Sequence, residues 1–229
     1  MLVLFDARTL TPLATLDSAA LTALRTPALS ALAVARLAHP EARRLVVFGT
    51  GVQAWAHVAA LREVRDIDEV RVVGRDAARL SHFLDRCRRL PGLDAQAGRP
   101  SDVAEADIIA CCTTAREPLC DGALPKSHTT IVAIGSHDAS AREVDEVMVR
   151  RSTVVVDGRA AAAREAGDLL LNDALDGVRG TIADLVAKRV VIAPDRPRLF
   201  KSVGMAWQDL AVAVQVYEAA AGRAEQPKL

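Results

Sequence analysis

The sequence predicts an α/β protein: a doubly wound parallel sheet accompanied by an incomplete second domain. Short apolar runs rich in β-branched residues alternate with segments whose apolar residues recur at helical spacing, which is the pattern of strands joined by crossover helices. A glycine turn, Gly49-Thr50-Gly51, directly follows the first buried run. The chain has 229 residues, 51% of them hydrophobic, and is therefore long enough for one large domain and part of another.

The first forty residues predict a hairpin and a helix. Residues 2–8 and 12–17 are the two predicted strands, and a helix at 19–38 follows a cap at Asp17 or Ser18. A two-stranded hairpin is only marginally stable by itself. Since no further strand precedes the glycine turn, we expect residues 1–40 to be part of a domain that an upstream segment or another chain completes.

The glycine turn lies inside a complete βαβ unit. A strand at 45–48 leads into it, a helix at 54–64 follows, and a second strand at 70–73 closes the unit. Glycines often do no more than form a turn, but the flanking elements here agree with a Rossmann-type nucleotide-binding unit. In that interpretation Gly49 permits the turn, Gly51 lets the backbone approach a pyrophosphate, and Ala54 lets the helix pack close to the strand.

The end of the second strand indicates which nicotinamide cofactor fits. An NAD enzyme usually places a carboxylate there, on the ribose 2′-hydroxyl. This chain has Gly74, which has no side chain, followed by Arg75, and an arginine can bind a 2′-phosphate by charge-assisted hydrogen bonds. The carboxylate of Asp76 argues for NAD(H) instead, although the position of Asp76 suits a helix cap. The sequence therefore predicts NADP(H) in preference to NAD(H).

Strands and helices continue to alternate after this unit. Residues 41–195 are assigned to the Rossmann-type domain, and residues 196–229 to a C-terminal helix that returns to the first domain. Ligands of such sheets bind at the carboxyl ends of the strands, so Thr113-Thr114 and Gly135-Ser136-His137 are expected to face the crevice. The predicted strands lie at 93–96, 107–112, 129–134 and 153–156. The predicted helices run from Asp76 to Arg88, through most of 160–188 and over 205–221. A brief helical turn is expected after Ser101, and a segment that breaks regular structure at 194–197.

Charge and composition argue against several classes of partner. Lysine and arginine number 29, as do aspartate and glutamate, and aromatic residues are only 3%, so nucleic-acid binding is not expected. The four cysteines show no metal-ligand spacing and suit core packing in a reducing cytoplasm. No apolar run reaches the length of a membrane span, and the N-terminus lacks a signal-peptide pattern. We expect a cytoplasmic protein without a membrane partner.

Six motifs, taken in order, resemble the ornithine cyclodeaminase/mu-crystallin family, and the resemblance extends from residue 2 to about residue 220. A series of this kind is much more specific than a glycine turn alone. The motifs are Thr22-Ala23-Leu24-Arg25-Thr26, Gly49-Thr50-Gly51-Val52-Gln53-Ala54, Ala106-Asp107-Ile108 through Arg116-Glu117-Pro118, Ile134-Gly135, Glu165-Ala166-Gly167-Asp168 and Phe200-Lys201-Ser202-Val203-Gly204.

The resemblance implies NAD(P)-dependent chemistry on amino acids or imines. The family comprises cyclodeaminases, reductases of cyclic or open imines, alanine dehydrogenase-like proteins and NADPH-binding mu-crystallins. It implies that Arg25 binds the substrate carboxylate, which a guanidinium fork matches, whereas the alternative is an ordinary arginine on an amphipathic helix. The resemblance also implies that Val52 and Gln53 contact the pyrophosphate and that Thr113 contacts the adenosine side of the cofactor. Ile134, Ser202 and Val203 would line the nicotinamide end. For Ser202 the alternative is a helix cap, and the two roles are compatible.

The sequence departs from the family pattern in two places. It begins at the last hairpin of the family's substrate domain, so we expect an N-terminally incomplete or degenerate member whose activity in this form is open. Where the cyclodeaminases have a catalytic aspartate this chain has His137, followed by Asp138, and their glycine–lysine pair is replaced by Ser140-Ala141.

These features predict an NAD(P)H-dependent oxidoreductase of amino-acid metabolism that transfers hydride to the imine carbon of a small amino-acid-like substrate. Arg25 would neutralise the carboxylate and His137 would manage the proton. Two alternatives remain: an ornithine cyclodeaminase that releases ammonia and uses bound NAD, and a non-catalytic NADPH-binding protein. The exposed hairpin edge predicts a homodimer.

Overall fold

The computed structural model describes residues 1–222, which form two sheets and the helices around them. In chain order the strands and α-helices are β1 (Leu2–Phe5), β2 (Pro12–Leu16), α1 (Ser18–Leu37), β3 (Arg44–Phe48), α2 (Val52–Arg62), β4 (Glu69–Val73), α3 (Ala77–Cys87), β5 (Asp94–Ala97), β6 (Ile108–Cys111), β7 (Thr130–Ala133), α4 (Glu146–Arg151), β8 (Thr153–Val156), α5 (Arg159–Glu165), α6 (Gly167–Leu170), β9 (Val178–Thr181), α7 (Ile182–Val186), β10 (Arg198–Lys201) and α8 (Ala206–Ala220).

The larger sheet confirms the predicted fold class. Its eight strands are all parallel and run in the order β5-β4-β3-β6-β7-β10-β8-β9, while β1 and β2 form a separate antiparallel hairpin. Strands β6, β7 and β8 are buried at every residue, because helices cover both faces of the sheet and every side chain except those of Thr130 and Thr153 enters one of two apolar cores. The carboxyl ends of these strands therefore meet along one edge.

Two strands of the sheet, β9 and β10, were not predicted. The segment 160–188, expected to be mostly helical, contains β9 between α6 and α7, and α4 also lies where no helix was expected. Strand β10 begins with Arg198 and ends with Lys201, so it lacks the apolar pattern that predicts a central strand. The expected boundary at residue 195 thus falls just before a strand that pairs with both β7 and β8. The division into 1–40, 41–195 and 196–229 remains a prediction, and residues 223–229 lie outside the described part.

Helix α1 is long and apolar enough to cross a membrane, contrary to the expectation from the sequence. Within residues 1–222 it alone passes that test of length and composition, with 44% of its apolar window buried. It carries Arg25 and Arg36, and its buried residues include Leu29 and Val34, which belong to the core that it shares with α2. In this structure α1 is a packed helix of the domain.

A buried ion pair connects β10 to the neighbouring elements. The Lys201 Nζ lies 2.7 Å from the Asp168 Oδ2, and both side chains are wholly buried. The ammonium also donates to the Ser136 carbonyl at 2.5 Å, and the other Asp168 oxygen accepts from the backbone N–H groups of Glu143 and Val144 at 2.6 and 2.9 Å. The pair thus connects β10, α6 and the segment after β7.

We expect Lys201→Met to lower the free energy of unfolding by about 3–5 kcal/mol, because it leaves the Asp168 carboxylate buried without a counter-charge. Urea denaturation followed by circular dichroism measures this loss. Adding Asp168→Asn should recover part of it, since Asn keeps an oxygen for the two backbone N–H groups but has no charge. Arg43→Met is the control, because the Arg43–Asp68 pair is 57% and 50% exposed and such pairs contribute under about 1 kcal/mol. Equal losses in Lys201→Met and Arg43→Met would contradict the expectation.

Candidate active site

A groove of about 860 Å³ follows the carboxyl edge of the sheet. It is lined by the turn between β3 and α2, the end of β4, the start of α3 and the segment after β6. Five of the residues predicted to bind a cofactor line it: Gly49, Gly51, Gly74, Arg75 and Thr113. Arg79, which the sequence analysis did not select, lines it too. The groove is large enough for an extended dinucleotide.

The turn after β3 has the geometry that the glycine motif requires. Gly49 has a φ of +110°, and a β-carbon there would lie 2.5 Å from the Cys112 carbonyl oxygen at the end of β6. Helix α2 begins at Val52 without a side-chain cap, so its first backbone N–H groups remain available to an anion. Val52 is exposed at this helix start, whereas Ala54 is completely buried in the core and supports the turn without lining the groove.

A second cavity, of about 260 Å³, adjoins the groove and shares Cys112, Thr113 and Thr114 with it. Helix α1, the start of α2, the end of β7 and the loop after β10 all contribute to its walls. It brings together seven of the predicted site residues, which are Arg25, Gln53, Thr113, Ile134, His137, Ser202 and Val203. The cofactor groove therefore ends in a small chamber that has a cation, an imidazole and apolar walls.

Arg25 in this cavity is held from helix α8. Its Nε lies 3.0 Å from the Asp209 Oδ1, and its NH1 donates to the Gln208 Oε1 at 3.1 Å. Gly204, with a φ of +87°, lies beside NH1 and NH2, since a β-carbon there would be 3.0 Å from NH2 and 3.1 Å from NH1. Arg25 is thus an ordered residue of the cavity wall, and not an ordinary surface arginine. The sequence analysis missed Gln208 and Asp209.

The loop after β10 is fixed by Asp157, a third residue that was missed. Its Oδ2 accepts hydrogen bonds from the Ser202 hydroxyl at 2.9 Å and from the backbone N–H groups of Val203 and Gly204 at 3.0 and 2.7 Å. The alternative of Ser202 as a helix cap is wrong, because α8 begins after Met205 without a side-chain cap. An aspartate directly after the apolar strand β8 was the available signal.

A buried glutamate joins the ends of β6 and β7. Both Glu143 oxygens accept hydrogen bonds, one from the backbone N–H and hydroxyl of Thr113 at 2.8 and 2.7 Å, and the other from the Gly135 N–H at 2.7 Å. Burial raises the pKa of Glu143, although its hydrogen bonds with Thr113 and the charge of Lys201 oppose that rise. Since the Glu143 backbone is itself bonded to Asp168, the buried ion pair and the cavity wall form one network.

His137 and its neighbour Asp138 have different surroundings. His137 lines the cavity, and its ring makes no hydrogen bond within residues 1–222. Asp138 instead accepts from the backbone and hydroxyl of Ser140 at 2.8 and 2.7 Å and from Arg116 at 3.3 Å, and these hydrogen bonds with Ser140 lower its pKa. Asp138 is not among the residues that line the cavity, so it does not supply the carboxylate that His137 replaces.

Two curated proteins are similar to the chain over nearly all of its length. A Δ1-pyrroline-2-carboxylate reductase of Colwellia psychrerythraea is 37% identical over 227 residues, which are 95% of this chain and 72% of the relative. The ketimine reductase mu-crystallin of Mus musculus is 32% identical over 216 residues, which are 94% of this chain and 68% of the relative.

A solved structure agrees with the fold described above. Thermococcus litoralis Δ1-pyrroline-2-carboxylate reductase, in complex with NADH and L-proline, has a TM-score of 0.91 and 30% identity over 96% of this chain and 71% of its own. The family model for the ornithine cyclodeaminase/mu-crystallin family matches residues 1–224. With almost the whole chain matched, and with five of the six motifs contributing residues to the groove or to the adjoining cavity, the protein belongs to the ornithine cyclodeaminase/mu-crystallin family.

Proposed function

We propose that this protein is an NAD(P)H-dependent imine reductase that acts on a small cyclic imine with a carboxylate beside the C=N bond. The observation that carries the proposal is the junction of the cofactor groove with the cavity that holds Arg25 and His137. Relatives named for reduction of Δ1-pyrroline-2-carboxylate and of ketimines support the substrate class.

The groups in the cavity match the needs of imine reduction. A bound reduced nicotinamide would supply the hydride to the imine carbon. Arg25 can neutralise the carboxylate through two parallel N–H bonds. The His137 imidazole can donate a proton to the nitrogen as the amine forms, and the side chains of Ile134 and Val203 add apolar surface to the cavity. The pocket therefore binds, orients and protonates one small molecule.

We also propose that the protein is a homodimer. Apolar side chains of the hairpin and of α8 are exposed, among them Phe5 at 50%, Trp207 at 48% and Leu210 at 52%. Exposed apolar surface of this kind favours association between protein chains. Size-exclusion chromatography with light scattering tests the proposal, and a monodisperse monomer would contradict it.

A single set of assays separates the three candidate functions. We expect NADPH oxidation that depends on Δ1-pyrroline-2-carboxylate and yields proline in equal amounts. Ornithine with a catalytic amount of NAD should release no ammonia, because an imidazole is neutral or positive near pH 7 and cannot stabilise an ammonium or iminium as a carboxylate does. Stoichiometric proline and ammonia from ornithine would make it a cyclodeaminase, and tight NADPH binding without turnover would make it a binding protein.

Variants of His137 test the proton role separately. His137→Ala should lower kcat for imine reduction about 100-fold, in the range of general acid catalysis, while the Kd for NADPH stays unchanged. The control is His128→Ala, since His128 precedes β7, at the opposite end of that strand from the cavity, and contacts Asp107. An unchanged kcat in His137→Ala would remove His137 from the mechanism.

We expect Arg25→Lys to raise the KM for Δ1-pyrroline-2-carboxylate about 10-fold, because lysine cannot form two parallel hydrogen bonds with a carboxylate. Initial rates at saturating NADPH measure this. Arg36→Lys is the matched control on the same helix, where Arg36 is exposed in the last turn. If both variants keep the KM of the unaltered protein, Arg25 does not bind the carboxylate.

The preference for the phosphorylated cofactor rests on Arg75 and on the space beside it. A β-carbon on Gly74 would lie 2.7 Å from the Thr50 Cγ2, so the NAD-type carboxylate has no room there. Asp76 lines the groove, but it caps α3 through the Arg79 N–H, as predicted, so one oxygen of its carboxylate is already engaged. Arg75 and Arg79 are exposed along the groove and form no ion pair within residues 1–222. The Thermococcus relative was solved with NADH, so this preference is a proposal for the present chain alone.

Titration of the two reduced cofactors, followed by nicotinamide fluorescence, tests this preference. NADPH should bind more tightly than NADH, and Arg75→Ala should raise the Kd for NADPH about 10-fold with no change for NADH, because only NADPH carries the 2′-phosphate. Arg89→Ala, which removes a positive charge just beyond α3, is the control. Tighter binding of NADH by the unaltered protein would contradict the proposal.

A further inference from the structure

The guanidinium of Arg25 is unusually well restrained for a group that must bind a small ligand. Arg25 lies on α1, whereas the two side chains that hold it, Gln208 and Asp209, lie on the first turns of α8. The Arg25 side chain is 15% exposed and that of Asp209 is 28% exposed, so solvent screens this pair only in part.

The hydrogen bonds divide the guanidinium into a held side and an open side. Arginine has five N–H donors in a planar fork. Nε donates to Asp209 and one NH1 proton to Gln208, so one proton on NH1 and two on NH2 remain. NH1 and NH2 together form the end of the fork that binds a carboxylate with two parallel bonds. Asp209 therefore binds Nε, and NH2 has no hydrogen-bond partner within residues 1–222, while the missing β-carbon of Gly204 leaves space beside NH1 and NH2.

The supporting residues are themselves fixed. Gln208 is 3% exposed, and its position follows from the turn that begins α8. That turn comes directly after the loop whose Ser202, Val203 and Gly204 are all bonded to the buried Asp157. The Asp209 carboxylate is thus presented to Arg25 by a rigid element, which is what a precisely oriented binding group requires.

We propose that Asp209 is a positioning residue, which orients the Arg25 guanidinium so that its NH1–NH2 end faces the substrate carboxylate. This inference rests on the proposed function, because it assigns Arg25 to the carboxylate of the imine. Without Asp209 the long Arg25 side chain regains rotamer freedom, and binding a carboxylate must then restrict it again. The role predicts an effect on substrate binding and none on cofactor binding.

The first test is kinetic and uses the whole chain with NADPH and Δ1-pyrroline-2-carboxylate. Asp209→Ala should raise the KM for the imine about 10-fold, while the Kd for NADPH stays within about 2-fold. Asp209→Asn keeps an oxygen that can accept from Nε, so its KM should stay within about 3-fold of the unaltered protein. Glu218→Ala, which removes one negative charge elsewhere on α8, is the matched control and should change neither constant.

A second test does not depend on turnover. In a nitrogen-15 NMR spectrum of the arginine side chains, the Arg25 Nε–H should give a sharp signal that exchanges slowly with water, assigned by its loss in Arg25→Lys. Asp209→Ala should abolish that signal and Asp209→Asn should keep it. The NMR result tests whether Asp209 orients Arg25 even if the kinetic variants are poorly active.

The outcomes separate this inference from the proposed function. If Arg25→Lys raises the KM but Asp209→Ala leaves both the KM and the Nε–H signal unchanged, the positioning role is wrong and the function stands. If neither Arg25→Lys nor Asp209→Ala changes the KM, Arg25 does not bind the substrate carboxylate and both fail. A loss in Asp209→Asn as large as in Asp209→Ala would show that the negative charge matters and not the orientation, which would overturn the inference.

Discussion

The buried contact between Lys201 and Asp168 constrains more of this structure than any single apolar contact. Removing two charges from water costs several kcal/mol for each ion, so a strand that ends in lysine can enter the middle of the sheet only if a carboxylate meets it there. Asp168 Oδ2 forms no well-aligned hydrogen bond within residues 1–222, yet it lies 2.7 Å from the ammonium, so the contact is chiefly ionic. Its other oxygen holds the backbone of Glu143, whose carboxylate holds the ends of β6 and β7. The buried charged groups beneath the carboxyl edge of the sheet therefore hold the residues along that edge in place.

The cavity at the end of the groove is held by a second set of hydrogen bonds, separate from the Lys201–Asp168 pair. Asp157 follows β8 and binds three successive residues after β10, and this loop leads directly into α8. Helix α8 then reaches α1 through Asp209 and Arg25. The candidate site is thus assembled from parts of the chain that are nearly two hundred residues apart, and carboxylates hold them together: Asp157 accepts from three donors and Asp209 from Arg25. Such preorganisation is what hydride transfer to a small molecule requires, because the reacting atoms must be held close and in line.

The surroundings of His137 and Asp138 explain in physical terms how one scaffold can serve different reactions. Both residues lie in the loop after β7, but only His137 lines the cavity, because Asp138 is engaged with Ser140 and Arg116 outside it. An imidazole can donate a proton to a forming amine, whereas a carboxylate can stabilise an ammonium or iminium ion. The proposed role of His137 would therefore let a single side chain at the end of a strand decide the reaction class, while the sheet and the cofactor groove remain the same.

The sequence by itself determined the parallel sheet, the glycine turn and most of the residues that meet in the groove, because these depend on local patterns: apolar runs, helical spacing and glycines at fixed intervals. It also placed His137 at the crevice, since residues that follow parallel strands collect at one edge of the sheet, whereas Arg25, Ile134 and Ser202 were assigned to the site by the family resemblance of their motifs. Only the tertiary structure decided the rest. Strands β9 and β10 have mixed sequences; β9 pairs with β8, and the lysine that ends β10 is paired with Asp168. Glu143, Asp157 and Asp209 act through partners that lie 30 to 184 positions away, and no local pattern encodes a contact over such a distance.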